Sequence, residues 1–440
     1  SVPLPPRSAF GLWWSRYWAY SDDEIRALVR EFRDHGVPLD VLVIDMDWHT
    51  TDSLSFRQPV RDAAGELIGW TGYTWNRELF PDPARLLRWL REQGLKVTLN
   101  LHPASGIPVH EERFAEFVRA IHPSNAPPQG AAPAQPPAPA LTPAAVSQPP
   151  GEASIPLELA SRRWMSALFD VVLRPLERMG VDFWWLDWQA GRTVPGWPGL
   201  DPVFWLNHVF FCEAERRGDR RPLLFHRWGG LGNHRYQIGF SGDTASSWAA
   251  LEFQPGFTAT AANVAYGYWS HDLGGHHGED RDPELYLRWL QYGVLSPIVR
   301  VHSTKVAGLD RRFWRQPFTE LLREAVLFRY ALIPYLYTAA RIAHDTGVSL
   351  CRPLYYSEPG REEAYEAPGE YFVGEDLLAA PVTAKTDRDT GLAHRRIWLP
   401  PGRWYEWWSG ALLHGDQTHR RAFTLDEIPL YARAGAVIPL

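Results

Sequence analysis

Ionisable and aromatic side chains recur just past short apolar runs in this chain. Val41 to Ile44 leads into Asp45, Asp47 and Trp48, and Val97 to Leu101 into His102. Asp182 to Leu186 leads into Asp187 and Trp188, and Leu223 to Phe225 into His226, Arg227 and Trp228. Asp243 follows Tyr236 to Phe240, His271 and Asp272 follow Tyr266 to Trp269, and the run Ile298 to Val301 carries Arg300 and ends at His302. Carboxylates, imidazoles, a guanidinium and many aromatic rings, without repeated metal-ligand spacing, suit glycoside chemistry. There two carboxylates flank the scissile bond, one attacking the anomeric carbon or directing water to it, the other protonating the leaving oxygen. Asp187 is the nucleophile candidate, because an Asp at the end of the apolar run Phe183-Trp184-Trp185-Leu186 is costly to bury unless used. Asp243 is the acid candidate, since Ser241-Gly242-Asp243-Thr244 is a Gly-containing loop able to present a side chain into a cavity. The plainer reading of Asp243 is an N-cap for a segment Thr244 to Leu251.

These runs alternate with helical patterns. Asp22 to His35, Asp82 to Gln93, Arg162 to Met179, Phe204 to Arg217 and Pro283 to Tyr292 place apolar residues at helical spacing, several ending at Gly. With a first strand at Phe10 to Trp14, eight βα units are expected, which argues for a closed parallel (β/α)8 TIM barrel. Its active site would lie at the C-terminal strand ends, where the residues above fall. An open doubly wound sheet would want a Gly-rich phosphate turn after its first strand, and none follows Trp14. From about residue 121 to 156 the chain is almost entirely Pro, Ala, Gln, Gly and Ser, read as a low-complexity insertion after the third strand. From 347 to 440, short β-like runs between Gly and Pro signals predict a small antiparallel β-sandwich, and the apolar end at Leu440 suggests that the chain stops within it. The barrel would then span 1 to 346.

Composition narrows the function class. A net charge of −6 over 440 residues argues against nucleic acid or an anionic membrane as partner. No apolar run approaches the roughly 20 residues of a bilayer span. Two cysteines, Cys212 and Cys351, make no disulfide framework. The start at Ser1 lacks both a Met and a signal-peptide pattern, so the N-terminus reads as trimmed; the compartment stays open, with the cytoplasm slightly favoured. Trp is 22 of 440 residues, and flat rings suit both a large aromatic core and sugar stacking.

Six short motifs in a fixed order resemble glycoside hydrolase family 31, the α-glucosidase and α-xylosidase family, over most of the chain. Trp185-Leu186-Asp187 matches its W-x-D nucleophile motif, and Gly242-Asp243 followed by Ser247-Trp248 matches its acid/base motif. Arg227, sixteen positions before Asp243, matches its substrate-binding Arg. Asp272 in His-Asp-Leu-Gly-Gly, Arg300-Val301-His302 and the early Asp45 match three further substrate-binding positions. The resemblance implies a TIM barrel followed by a β-sandwich. It implies a retaining, exo-acting hydrolase of terminal α-linked sugars, with Asp187 as nucleophile and Asp243 as acid and then base. With the strand-end residues, the expected sugar-binding set is Asp45, Asp47, Trp48, His102, Trp185, Trp188, Arg227, Phe240, Asp272 and His302. No metal or organic cofactor is expected; the partner would be an oligosaccharide or glycoside, with homo-oligomerisation left open.

The chain also departs from the family pattern. The nucleophile is followed by Trp188-Gln189-Ala190-Gly191 in place of Met-Asn-Glu, which leaves the sugar open, and the loop to Arg227 is short. The family's usual N-terminal β-sandwich has no counterpart, so the chain reads as a fragment or trimmed form. Rival readings are α-galactosidase or α-N-acetylgalactosaminidase specificity, an α-transglycosylase, or a non-catalytic carbohydrate-binding homologue. His271, Asp272, His276 and His277 invite a metal reading, but Gly274-Gly275 denies them one helical face, and sugar contacts by His271 and Asp272 are the preferred reading.

Overall fold

The computed structural model describes residues 2–50, 60–61, 67–68, 70–122, 154–187, 193–227, 229–278 and 281–440. Trp188, Trp228 and most of the Pro/Ala-rich insertion, residues 123–153, lie outside the described residues.

Local chemistry starts the helices where the pattern places them. Ser21 and Glu24 form a reciprocal capping box at the start of helix Asp22–Asp34, whose Ile25, Leu28, Val29 and Phe32 are buried. Asp82 caps helix Pro83–Glu92 and Asp201 caps Pro202–Arg216, each with Pro in the first turn, where its missing N–H is no loss. The predicted helix from Arg162 to Met179 forms, with a π-helical stretch over Leu168–Leu173.

Eight strands form one parallel sheet: β1 Leu12–Trp14, β2 Val41–Ile44, β3 Lys96–Leu101, β4 Phe183–Leu186, β5 Leu224–His226, β6 Ile238–Phe240, β7 Trp269–Ser270 and β8 Val299–Val301. β1 pairs with both β2 and β8, and parallel bridges Ser270 to Ile298 and Leu273 to Val301 close β7 onto β8. The (β/α)8 architecture is therefore present, with the strands buried on both faces, as helix-covered parallel strands must be.

One unit departs from the expected alternation. Among the described residues, β5 and β6 are joined through a 3-10 turn, Asn233–Tyr236, and no α-helix. The helix after β6 runs over Trp248–Thr260, and Ser247, not Asp243, supplies its side-chain cap by accepting from Ala250 N–H. The N-cap reading of Asp243 is thereby overturned.

The helical pattern also missed Thr319–Thr346, which is 28 residues long and carries Pro334 inside it. Its Arg329 is fully buried and donates to the carbonyls of Phe10, Val294, Ser296 and Pro297 at 2.6–3.0 Å, tying β1 to the turn before β8.

Beyond that helix lies a six-stranded sheet, with Ala393–Leu399 and Gln417–Phe423 paired separately; all these pairings are antiparallel. Helix Pro283–Gly293, buried from Leu285 onward, docks this region: Arg288 donates to the carbonyls of Thr424 and Glu427 (3.0 and 3.2 Å), and Gln291 to that of Leu425 (2.7 Å). Trp407 and Trp408 pack on Phe328 of the long helix, at centroid distances of 5.7 and 5.0 Å. Among the described residues no helix is long and apolar enough to cross a membrane.

Candidate active site

The C-terminal ends of the barrel strands gather the charged residues around Arg227. Its Nε donates to Asp187 Oδ1 at 2.5 Å, and one terminal nitrogen lies 3.3 Å from each oxygen of Asp243. A single guanidinium thus joins the carboxylates that follow β4 and β6. It is itself buried and rests over the Phe240 ring at 4.7 Å.

The two carboxylates differ in environment. Asp187 is nearly enclosed; Asn100 Nδ2 donates to its Oδ2 at 3.3 Å, and His102 Nε2 lies 3.4 Å from the same oxygen. Burial alone would raise its pKa, but Arg227 and His102 hold the group well below the usual carboxylate range. It is an anion throughout the neutral range, as a nucleophile must be. The Asp243 side chain is 45% exposed, with His276 Nε2 at 3.9 Å, and so is open to the space in front of the site.

The remaining polar residues form a wall. Asp272 is fully buried and bonded to Arg300, whose Nε donates to Ser270 Oγ at 2.9 Å. Although burial opposes it, the bonded Arg300 keeps the Asp272 carboxyl well below its ordinary pKa. His302 stacks on His276 at 4.8 Å, meets Ser15 Oγ at 2.6 Å and stands 4.0 Å from Asp45. Burial drives the pKa of His302 far down, so the ring is neutral. Asp47 is held by Lys305 Nζ at 3.1 Å. Donor atoms of Asp243, Asp272 and His276 lie within 4.8 Å of one another, close enough to share a cation. Arg227 and Arg300 already neutralise the two carboxylates of that group.

Burial pushes the Asp45 carboxyl up to about 8, with the charges of Asp187 and Asp47 adding to the effect and the Met46 N–H bond opposing it. An unfolded Asp titrates near ~3.9, so the folded chain alone holds this proton between about pH 4 and 8, and its stability falls as pH rises through that window. Asn carries no such proton. The Tm of Asp45→Asn, relative to the parent, should therefore increase from pH 5 to pH 8, by on the order of 2 °C or more. A Tm difference independent of pH would overturn the assignment.

Several residues of the expected sugar-binding set are buried and engaged by neighbouring protein groups. Trp48 is fully buried, and its indole donates to the Asn100 carbonyl at 2.8 Å. Trp185 and Phe240 meet edge to face at 5.3 Å under Arg227 and Arg300, as a low-polarity floor. His271 is buried and held between Ser241 and Thr258.

Asn100, Ser15, His276 and Lys305 are part of the assembly and were not in the sequence-derived site set. Asn100 had a visible signal, a polar residue inside an apolar strand; the others depend on which loops converge.

Comparison with known proteins agrees with this arrangement. Residues 2–339 match the sequence model of the glycosyl hydrolases family 31 TIM-barrel domain, and 347–438 that of the family's C-terminal domain. An α-xylosidase of Saccharolobus solfataricus is 26% identical, aligned over 100% of this chain and 56% of its own length. α-Glucosidase 2 of Bacillus thermoamyloliquefaciens is 25% identical over 100% of this chain and 54% of its own. The chain thus spans about half the length of these curated relatives. The fold is shared with a family 31 α-xylosidase from a soil metagenome solved with xylose: TM-score 0.77, 21% identity, covering 100% of this chain and 65% of that one. With both domain models matched in order and the motif residues gathered at one end of the barrel, the chain belongs to glycosyl hydrolase family 31.

Proposed function

We propose that this chain carries the catalytic machinery of a retaining, exo-acting α-glycosidase that removes a terminal, non-reducing α-linked sugar of the glucose or xylose type. One observation carries the reading. Arg227 joins a buried carboxylate fixed as an anion to a half-exposed carboxylate that follows the next strand but one. Two carboxylates in such contrasting settings suit the two roles of a double displacement.

In the first step a carboxylate oxygen of Asp187 bonds to the anomeric carbon. The glycosidic C–O bond breaks, and the leaving oxygen takes its proton from Asp243. In the second, the Asp243 carboxylate takes a proton from water, whose oxygen attacks the anomeric carbon and frees Asp187. Asp45, Asp47, His102, Asp272 and His302 surround the site with donors and acceptors for the sugar hydroxyls. Such contacts accelerate the reaction by fixing orientation.

The test is a panel of aryl α-glycosides (gluco, xylo, galacto, N-acetylgalactosamino) with the configuration of the first-formed product followed by NMR. The expected result is cleavage of the gluco or xylo member with retention. Preference for a galacto-configured member would replace the sugar assignment. Inversion would remove the covalent step. Sugar products longer than the substrate would mark transglycosylation, and binding without cleavage a non-catalytic role.

A further inference from the structure

We infer that Ser241 and His271 are positioning residues for Asp243, anchored through Thr258 and Tyr292 by a chain of side-chain hydrogen bonds. The inference rests on the acid/base reading of Asp243.

The turn that presents Asp243 is unusual in its backbone. Gly242 and Asp243 both lie in the left-handed region, at φ 55° and 47°, which a non-glycine residue adopts uncommonly. Gly242 is also sterically confined: a Cβ there would fall 2.4 Å from an Arg227 nitrogen and 2.5 Å from the Phe240 ring. Such a conformation persists where its surroundings over-determine it. After the turn, Thr244 N–H donates to Asp272 at 3.4 Å, and His276 N–H donates to the Thr244 carbonyl at 2.7 Å. Before it, Ser241 N–H donates to the Ser270 carbonyl at 3.1 Å, and Ser241 Oγ meets His271 Nδ1 at 2.9 Å.

From His271 the chain continues inward. His271 Nε2 meets Thr258 Oγ1 at 2.7 Å, and Thr258 Oγ1 meets the Tyr292 hydroxyl at 2.7 Å. The Tyr292 hydroxyl donates to the Gln254 carbonyl at 3.2 Å. His271, Thr258 and Tyr292 are all buried. Burial lowers the pKa of His271 to about 3, so the ring is neutral, with one donor and one acceptor nitrogen. With Tyr292 donating to Gln254, Thr258 donates to Tyr292 and accepts from His271 Nε2–H, which leaves Nδ1 to accept from the Ser241 hydroxyl. The turn is thereby fastened to two helices, Trp248–Thr260 and Pro283–Gly293. Ser241 stands two residues from the carboxylate, so loosening it displaces Asp243 without removing any sugar contact.

Ser241→Ala cuts the chain at the turn, Thr258→Val cuts it at the far end with little change in volume, and Ser241→Thr keeps the hydroxyl. kcat/KM is measured on two α-glycosides with the same terminal sugar, one with an alcohol leaving group and one with a strongly acidic phenol. Only the first needs the proton from Asp243. Ser241→Ala and Thr258→Val should each lose about tenfold on the alcohol substrate and less than about twofold on the phenol, with Ser241→Thr close to the parent. Equal losses on both substrates would mark a merely structural network and overturn the inference, as would no loss on either. A parent chain that cleaves neither substrate would instead overturn the acid/base reading on which the inference rests.

Discussion

Asp187→Ala is expected to lower kcat/KM by at least about ten-thousand-fold on every α-glycoside that the parent cleaves, the scale seen when a covalent nucleophile is removed. Asp187 is the site carboxylate that combines near-complete enclosure with contacts to Arg227, His102 and Asn100. Two neighbouring carboxylates are poorly placed to replace it. Asp45 is held protonated by burial, and Asp272 is fully buried against Arg300. A chemical rescue separates loss of the nucleophile from loss of the fold. Azide admitted into the space left by the side chain should restore turnover of an activated aryl glycoside, and should give the β-glycosyl azide, because a single displacement inverts the centre. Residual activity within about tenfold of the parent would overturn the nucleophile assignment, since nucleophile removal costs orders of magnitude more. An α-configured azide product would do the same.

Asp243→Ala should divide substrates by their leaving groups. A sugar alcohol cannot depart without a proton, so kcat/KM on a disaccharide should fall about a thousandfold, within the usual range for general acid catalysis. An aryl glycoside with a strongly acidic phenol should be attacked by Asp187 almost as fast as in the parent. Its glycosyl-enzyme should then accumulate, because no base activates water. Azide needs no base and should release the α-glycosyl azide with retention. The substitution leaves both partners of the 2.5 Å contact between Arg227 and Asp187 in place, so the nucleophile should stay an anion. Equal losses on both substrates would show that Asp243 does not donate the proton.

Much of the architecture was legible from period and punctuation. The capped helices Asp22–Asp34 and Pro83–Glu92 form where apolar spacing, Ser or Asp caps and terminal glycines place them. The strands Val41–Ile44 and Phe183–Leu186 form where continuous apolar runs place them. The missing helix between β5 and β6 was not legible, because a short loop and a short helix share the same polar texture. The helix Thr319–Thr346 was obscured by its internal proline and by its mixed environment. Pro334 interrupts the expected pattern, and the helix is buried on several sides against both the barrel and the C-terminal sheets.

The candidate site divides along the same line. Asp187, Arg227, Asp243, Asp272 and His302 were found because a barrel delivers every strand end to one rim, so a one-dimensional pattern of charged residues after apolar runs becomes a single cluster. Their order and spacing identified the family, and residue chemistry alone named two carboxylates for two roles. Tertiary structure decided the surroundings of each side chain. It made Asp187 an enclosed anion and Asp243 a half-exposed group on the same guanidinium, raised Asp45 to about 8, and buried Trp48 and His271 against protein hydrogen-bond partners. These outcomes depend on burial and on distances between residues far apart in the chain. Desolvation and Coulomb interaction are properties of that three-dimensional neighbourhood, which no local stretch of sequence contains.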